Sequence, residues 1–192
     1  MCQKLLRDPR FFAFLFKIDQ DLFMQAREGR CPFCGGPLHQ ANYPRKPRGR
    51  TLDPPPERVF RFSLCCGSEG CRKRLTPPSV RFLGRKLYLG AVVVLVSAML
   101  HGTTASRLED LRDLVEVSHR TLDRWRQWWL AAFVKSAFWK ASRGRFDTPV
   151  DETLLPQSLL DRFLGALRSR ALDVLNFLSP ITTASAPGSM AF

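Results

Sequence analysis

The sequence predicts a mainly α-helical chain that carries one small β module. Apolar residues recur at helical spacing in several windows of its 192 residues, one segment alternates as a strand does, and two cysteine pairs flank that segment. The hydrophobic fraction of 45% is that of a folded protein. A chain of this length holds one ordinary domain or two small ones. Four segments are expected: an N-terminal helical segment over 1–30, a cysteine-bounded ribbon over 31–78, a trihelical unit over 79–146, and a C-terminal helix with a tail over 147–192.

Residues 9–29 read as a helix. Asp19 or Asp21 can cap it, Leu22, Phe23 and Ala26 form an apolar face, and Gly29 ends it before Cys31. Residues 44–56 (PRKPRGRTLDPPP) contain five prolines, which remove backbone donors and fix φ, so they make a basic loop. Val59 to Leu64 alternates β-branched and aromatic residues with others and reads as one strand. Thr76-Pro77-Pro78-Ser79 breaks the pattern and marks the expected boundary. A helix is expected from Arg85 to about His101. Ser106 and Glu109 are spaced as a capping box that opens the next helix, whose inner face is Leu108, Leu111, Leu114 and Val115. After the turn Val115–Ser118 a third helix is expected from His119 to about Phe138, ended by Arg143-Gly144-Arg145. A last amphipathic helix is expected from Gln157 to Asn176, and the Ala/Ser/Thr-rich residues after Pro180 form a frayed tail.

The longest apolar stretch, Leu87 to Leu100, has 14 residues against the roughly 20 a membrane span needs, so it reads as a buried helix. The N-terminus has no apolar run long enough for a signal segment. A reducing, cytoplasmic compartment is therefore expected, with no membrane partner, and there a Cys-x2-Cys pair reads as a metal site or redox pair rather than a disulfide. Four thiolates arranged as a tetrahedron suit a structural zinc ion, and a tight Cys-x2-Cys turn supplies two of them. Cys31 and Cys34, with Gly35-Gly36 behind them, fit that role. Cys71 is the expected last ligand, and its partner is Cys65 or Cys66. Phe60, Phe62, Leu64 and Cys66 share one strand face, which favours Cys66. The longer gap from Cys66 to Cys71 then requires a bulged second turn. His39 lies near in sequence, but a knuckle using it would need a cysteine where Pro44 stands.

The net charge of +13 is unevenly spread: residues 31–90 hold 12 Lys/Arg against 3 Asp/Glu, and residues 103–150 hold 9 against 6. So dense a positive field attracts a polyanion, with counterion release as the return. Val117-Ser118-His119-Arg120-Thr121-Leu122-Asp123-Arg124-Trp125-Arg126 supplies the means of reading it. Ser118 caps the helix, and Leu122, Trp125 and Trp129 fall at i, i+3 and i+7, facing the preceding helix. The opposite face holds His119, Arg120, Arg124 and Gln127. In a helix-turn-helix the first residues of the second helix meet base edges, Arg suiting guanine and Gln adenine. Arg126 and Lys135, and the loop residues Arg45 and Arg48, are expected on phosphates. The four tryptophans read as core, and His101 as a helix-end residue.

This order of parts resembles the N-terminal modules of proteins encoded by bacterial insertion sequences. The Cys-x2-Cys ribbon, the strand ending in cysteine, the Cys71-Arg72-Lys73-Arg74-x-Thr76 exit and the Val117-Ser118-x-x-Thr121-x-x-Arg124-Trp125 helix carry the resemblance, over roughly residues 31–130. It implies that Cys31, Cys34, Cys66 and Cys71 hold zinc and that His119, Arg120 and Arg124 face the terminal inverted repeats of a mobile element. In that family a separate catalytic domain with three acidic residues cuts DNA. Residues 146–192 show no strand pattern for such a domain, so strand transfer is not expected from this chain alone.

The function expected from the sequence is zinc-dependent, sequence-specific binding of double-stranded DNA by a non-catalytic accessory or truncated transposition protein. It would be nucleoid-associated and would act beside a separate catalytic transposase. A chromosomal transcription regulator is the alternative. An enzyme using Cys31 and Cys34 as a redox pair, or the cluster as a catalytic metal site, has only Glu69 as a nearby acid. RNA binding by the Arg/Pro loop stays open. The apolar face of the C-terminal helix suits either homodimer formation or closure of the core.

Overall fold

The structure, a computed structural model, describes residues 2–45, 60–83, 89–102 and 104–183, apart from the side chains of residues 105 and 107. It is mainly helical with a small antiparallel β component. Helix α1 (Cys2–Leu6) leads into α2 (Pro9–Glu28). Asp8 caps α2, its carboxylate accepting the Arg10 N–H at 2.9 Å, and Pro9 follows at the first helical position, where its missing donor costs nothing. The cap is therefore Asp8. Asp19 lies mid-helix and is buried, because a different set of donors claims it.

The β module comprises β1 (Leu38–Gln40), β2 (Tyr43–Pro44), β3 (Phe60–Arg61), β4 (Leu64–Cys66) and β5 (Arg74–Leu75). The order β1-β4-β5 forms one antiparallel sheet, and β2 pairs with β3 in a second. The single strand expected over 59–64 is thus two short strands. Between them the Ser63 N–H turns to the Asn42 side chain at 3.1 Å, while the Ser63 carbonyl takes the Ala41 N–H at 2.8 Å. Val59 itself, Arg48 and most of the proline-rich loop lie outside the described residues.

Helix α3 (Gly90–Met99) is the centre of the larger core. Every residue from Gly90 to Ala98 is buried, as an all-apolar helix requires, and α1 and the helices of the C-terminal half surround it. It begins at Gly90, because Leu89 is extended and bridges to Phe82; the expected start at Arg85 falls outside the described residues. Helix α4 (Ala105–Val115) starts ahead of Ser106, which lies inside the first turn and not at its mouth. Helix α5 (His119–Gln127) runs on through a π-helical segment, Trp128–Phe133. Widening the turn brings residues five apart over one another. Trp128 and Phe133 then sit with ring centroids 5.2 Å apart while Trp129 stays 5.0 Å from the same Phe133. The helix stops at Ser136, short of Phe138, because Ser136 is extended and its hydroxyl caps α6 (Ala137–Ser142) through the Trp139 N–H at 3.1 Å.

The C-terminal helix expected over 157–176 is two helices, α7 (Gln157–Leu160) and α8 (Leu167–Leu178). Gly165 between them has φ +94°, a backbone that no right-handed helix contains. Arg170 ties the corner by donating to the Leu160 carbonyl at 2.8 Å and pairing with Asp161. Helix α8 packs against α3, so its apolar face closes the core.

A second core of Phe23, Cys31, Leu38, Phe62, Leu64 and Cys66 lies inside the β module. Helix α2 serves both, with Phe11 and Leu15 in the larger core and Phe23 in the smaller. Residues 76–83 are a buried strap between them. There the Asp19 carboxylate accepts from Ser79 Oγ at 2.6 Å, the Val80 N–H at 2.7 Å and Arg81 Nε at 2.8 Å. Arg81 reaches on to the Phe60 carbonyl at 3.0 Å, its guanidinium flanked by the rings of Phe16, Phe62 and Phe82. Arg61 donates to the carbonyls of Pro77 and Thr182. Burial lowers its basicity to about 10 against the opposing pull of Asp19.

Candidate metal centre and basic surfaces

Four thiols converge in the module: the sulfurs of Cys31, Cys34, Cys66 and Cys71 all lie within 4.8 Å of one another. Cys31 and Cys71 are 3.8 Å apart, and Cys34 and Cys66 are 3.4 Å apart. A tetrahedron of thiolates about 2.3 Å from a central ion has edges of about 3.8 Å, so the quartet has the size a tetrahedral metal demands. It can hold a metal ion.

The two turns that deliver the sulfurs follow one rule despite their unequal lengths. The residue two beyond the second cysteine, Gly36 or Lys73, accepts the N–H of the first cysteine through its carbonyl, at 3.0 Å in both turns. The same residue donates its own N–H to the sulfur of the second cysteine, Cys34 or Cys71. The extra residues of the second turn are taken up at Ser68–Cys71, where the Cys71 N–H returns to the Ser68 carbonyl at 3.2 Å. The expected bulge is this turn. Gly35 has φ +70°, and a Cβ on Gly36 would collide with Ser68 Oγ and come within 3.3 Å of Cys34 Sγ. The paired glycines are what let the two turns meet.

Strand parity selects the third ligand. Cys66 is buried on the inner face of β4 opposite Leu38, while Cys65, on the outer face, directs its sulfur to the Arg72 carbonyl at 3.5 Å. His39 pairs across from Cys65 on that outer face and is not in the quartet. Within the cluster the four thiols are unequal. The Gly36 N–H, then hydrogen bonds from Cys66 and Cys71, lower the Cys34 pKa. At Cys71 the Lys73 N–H pulls downward, but burial and hydrogen bonds with the other three sulfurs prevail and push the thiol up to about 11.

Cations surround this centre. Arg30 and Arg72, next to Cys31 and Cys71, are exposed at φ +59° and +45°. Lys73 places its ammonium 4.4 Å from the centre of the Phe33 ring, at the tip of the first turn. Arg45 and Arg74 flank Tyr43 at 5.0 and 5.5 Å, and Arg74 also donates to the Ala41 carbonyl at 3.0 Å. Arg45 is half-buried and also donates to the Tyr43 hydroxyl at 3.2 Å.

Helix α5 separates its faces as its sequence requires. Leu122, Trp125 and Trp129 are buried in the larger core, which also takes Val115 of α4, and α5 lies against α3. His119, Arg120, Arg124, Arg126 and Gln127 are exposed. Arg124 lies back along its own helix, Nε donating to the Arg120 carbonyl at 3.3 Å and Nη2 to Thr121 Oγ1 at 3.2 Å. Ser118 precedes the helix in extended conformation, its hydroxyl 3.2 Å from that of Thr121. Helix α4 carries the opposite charge outward, exposing Glu109, Asp110 and Asp113, with Glu116 beyond its end. Glu109 reads in the sequence only as half of a capping box, and Asp110, Asp113, Glu116 and Phe33 carry no functional signal there. Among the described residues no helix is long and apolar enough to cross a membrane. No protein-family model, curated protein or solved structure matches the chain.

Proposed function

We propose that this chain is a zinc-dependent, sequence-specific DNA-binding protein without catalytic activity of its own. In this reading Cys31, Cys34, Cys66 and Cys71 form a zinc ribbon, α3 to α5 form a helix-turn-helix, and the target is the end of a mobile element cut by a separate transposase. The observation that carries it is the pairing of a closed sulfur quartet with a helix whose outer face is His119, Arg120, Arg124 and Gln127. Four thiolates leave a zinc ion no open position, so the metal would supply a crosslink and not a reactive site. Arg120, at the second position of α5, has the reach and the fork for guanine in a major groove. Arg45 and Arg48 are assigned to phosphates. The acids of α4 must lie off the phosphate track, so the approach is led by the N-terminal end of α5.

The test is a gel shift at two salt concentrations, with a duplex from the gene's own flanks and a scrambled duplex of equal length. The flank should bind more tightly at both, and both affinities should fall as salt rises. Arg120→Ala should cost about 1–3 kcal/mol on the flank and little on the scrambled duplex. Arg48→Ala should weaken both alike. Equal wild-type affinity for the two duplexes overturns the reading.

A further inference from the structure

Phe33 is an apolar ring in a place that cannot bury it. The turn between Cys31 and Cys34 must point its middle residues outward if both sulfurs are to converge, and Phe33 is 53% exposed while Cys31, two residues before it, is 3% exposed. Nothing in the ligand geometry asks for an aromatic there. The surroundings are cationic: Lys73 lies against the ring at 4.4 Å, and Arg30 and Arg72 flank the ligands Cys31 and Cys71, whose sulfurs are 3.8 Å apart. The Lys73 backbone is also fixed in place, since its carbonyl and N–H are committed to the second cysteine turn.

An exposed aromatic beside exposed cations is the arrangement that takes a nucleobase by its face and the adjoining phosphates by their charge. Base faces are covered in a paired, stacked duplex and open only where a strand is single. A tip formed by a four-residue turn is narrow enough to meet one base at a time. We propose that the Cys31–Cys34 turn is a binding site for unpaired nucleotides, with Phe33 stacking on a base and Lys73, Arg30 and Arg72 holding the flanking phosphates. It rests on the nucleic-acid reading above but assigns the module a different ligand from α5: a single strand rather than a groove. A protein working at element ends meets both.

The test uses the full-length zinc-loaded chain and two fluorescein-labelled 12-mers of equal charge, one of thymidine and one in which the central nucleotides are abasic. Anisotropy titration should find the thymidine strand bound about tenfold more tightly than the abasic one. Phe33→Leu keeps an apolar side chain but removes the π face, and it should bring the two strands to equal affinity; Phe33→Trp should keep the difference. Zinc content and affinity for the flank duplex should be unchanged in both variants, which separates loss of stacking from loss of the fold. Phe33→Leu that retains the full preference for bases overturns the proposal, as does a wild-type chain that binds both strands equally. If the flank duplex is still bound specifically in that case, only this inference fails; if neither duplex nor strand is bound, the broader function fails with it.

Discussion

Asp19→Asn removes the anion from the most enclosed charged site in the described structure. The side chains of Asp19 and Arg81 are 0% and 4% exposed, and the carboxylate takes three hydrogen bonds between 2.6 and 2.8 Å. Asparagine keeps the shape and one acceptor oxygen but turns an NH2 towards at least one of the three donors. It also removes the Asp19 charge that faces the Arg81 guanidinium among Phe16, Phe62 and Phe82. Burial already lowers the Arg81 pKa, and Asp19 is what opposes that shift. Breaking one side of a buried pair in this way costs about 3–5 kcal/mol, a large part of the roughly 5–15 kcal/mol that holds a typical domain folded. Urea unfolding of zinc-loaded protein, followed by tryptophan fluorescence and far-ultraviolet dichroism, measures it. Asp19→Leu combined with Arg81→Met, which removes both charges and fills the space, should regain most of the loss. A loss below about 1 kcal/mol in Asp19→Asn, or a double variant no better than the single, would refute the assignment of the clasp to this ion pair.

Metal analysis should find about one zinc per chain; Cys66→Ser should lose it and Cys65→Ser should keep it, and equal retention by both would contradict the strand parity. Zinc affinity of chelator-treated protein should rise with pH. A Cys71 thiol pushed up to about 11 keeps its proton throughout the neutral range, so loading must expel it, and each expelled proton adds about tenfold in affinity per pH unit. Competition titrations at pH 6, 7 and 8 check the slope, and a flat profile contradicts it. Ser136→Ala should cost about 1 kcal/mol through the lost Trp139 cap, read as a lower urea midpoint at unchanged slope.

Legibility followed how local each signal was. The quartet could be read in full because two short turns and one strand parity fix it, and both act within a few residues. The buried and exposed faces of α5 were equally plain from Leu122, Trp125 and Trp129. Ends and breaks fared worse. The π segment Trp128–Phe133 is a response to packing Trp128, Trp129 and Phe133 together, which no propensity encodes. The break at Gly165 did have a signal, the glycine itself, but the apolar period ran across it. Asp19 looked like a helix cap because its partners, Ser79, Val80 and Arg81, lie some sixty residues away. A buried ion pair announces neither partner in a sequence where both residue types are common on surfaces.

That pair also decides how the module relates to the rest of the chain. The small core has six buried residues, two of them metal-ligand candidates, and a unit of this size seldom folds without a metal, disulfides or a partner surface. The partner surface is present: the rings of Phe16 and Phe23 on α2 pack on Phe62, at 5.7 and 5.1 Å. Towards its N-terminus the same buried stripe of α2 contributes Phe11 and Leu15 to the core that buries α5. The module is therefore seated on a rigid helix, with Asp19 clamping the strap at the level where the two cores meet. If a metal stiffens the quartet, its energy is delivered to a body already fixed relative to α5. Two surfaces held at one spacing can select a target that satisfies both, whereas the same surfaces on a flexible tether would bind many arrangements almost equally. In the proposed function, specificity then depends on the buried Asp19–Arg81 contact as much as on any residue that would touch DNA.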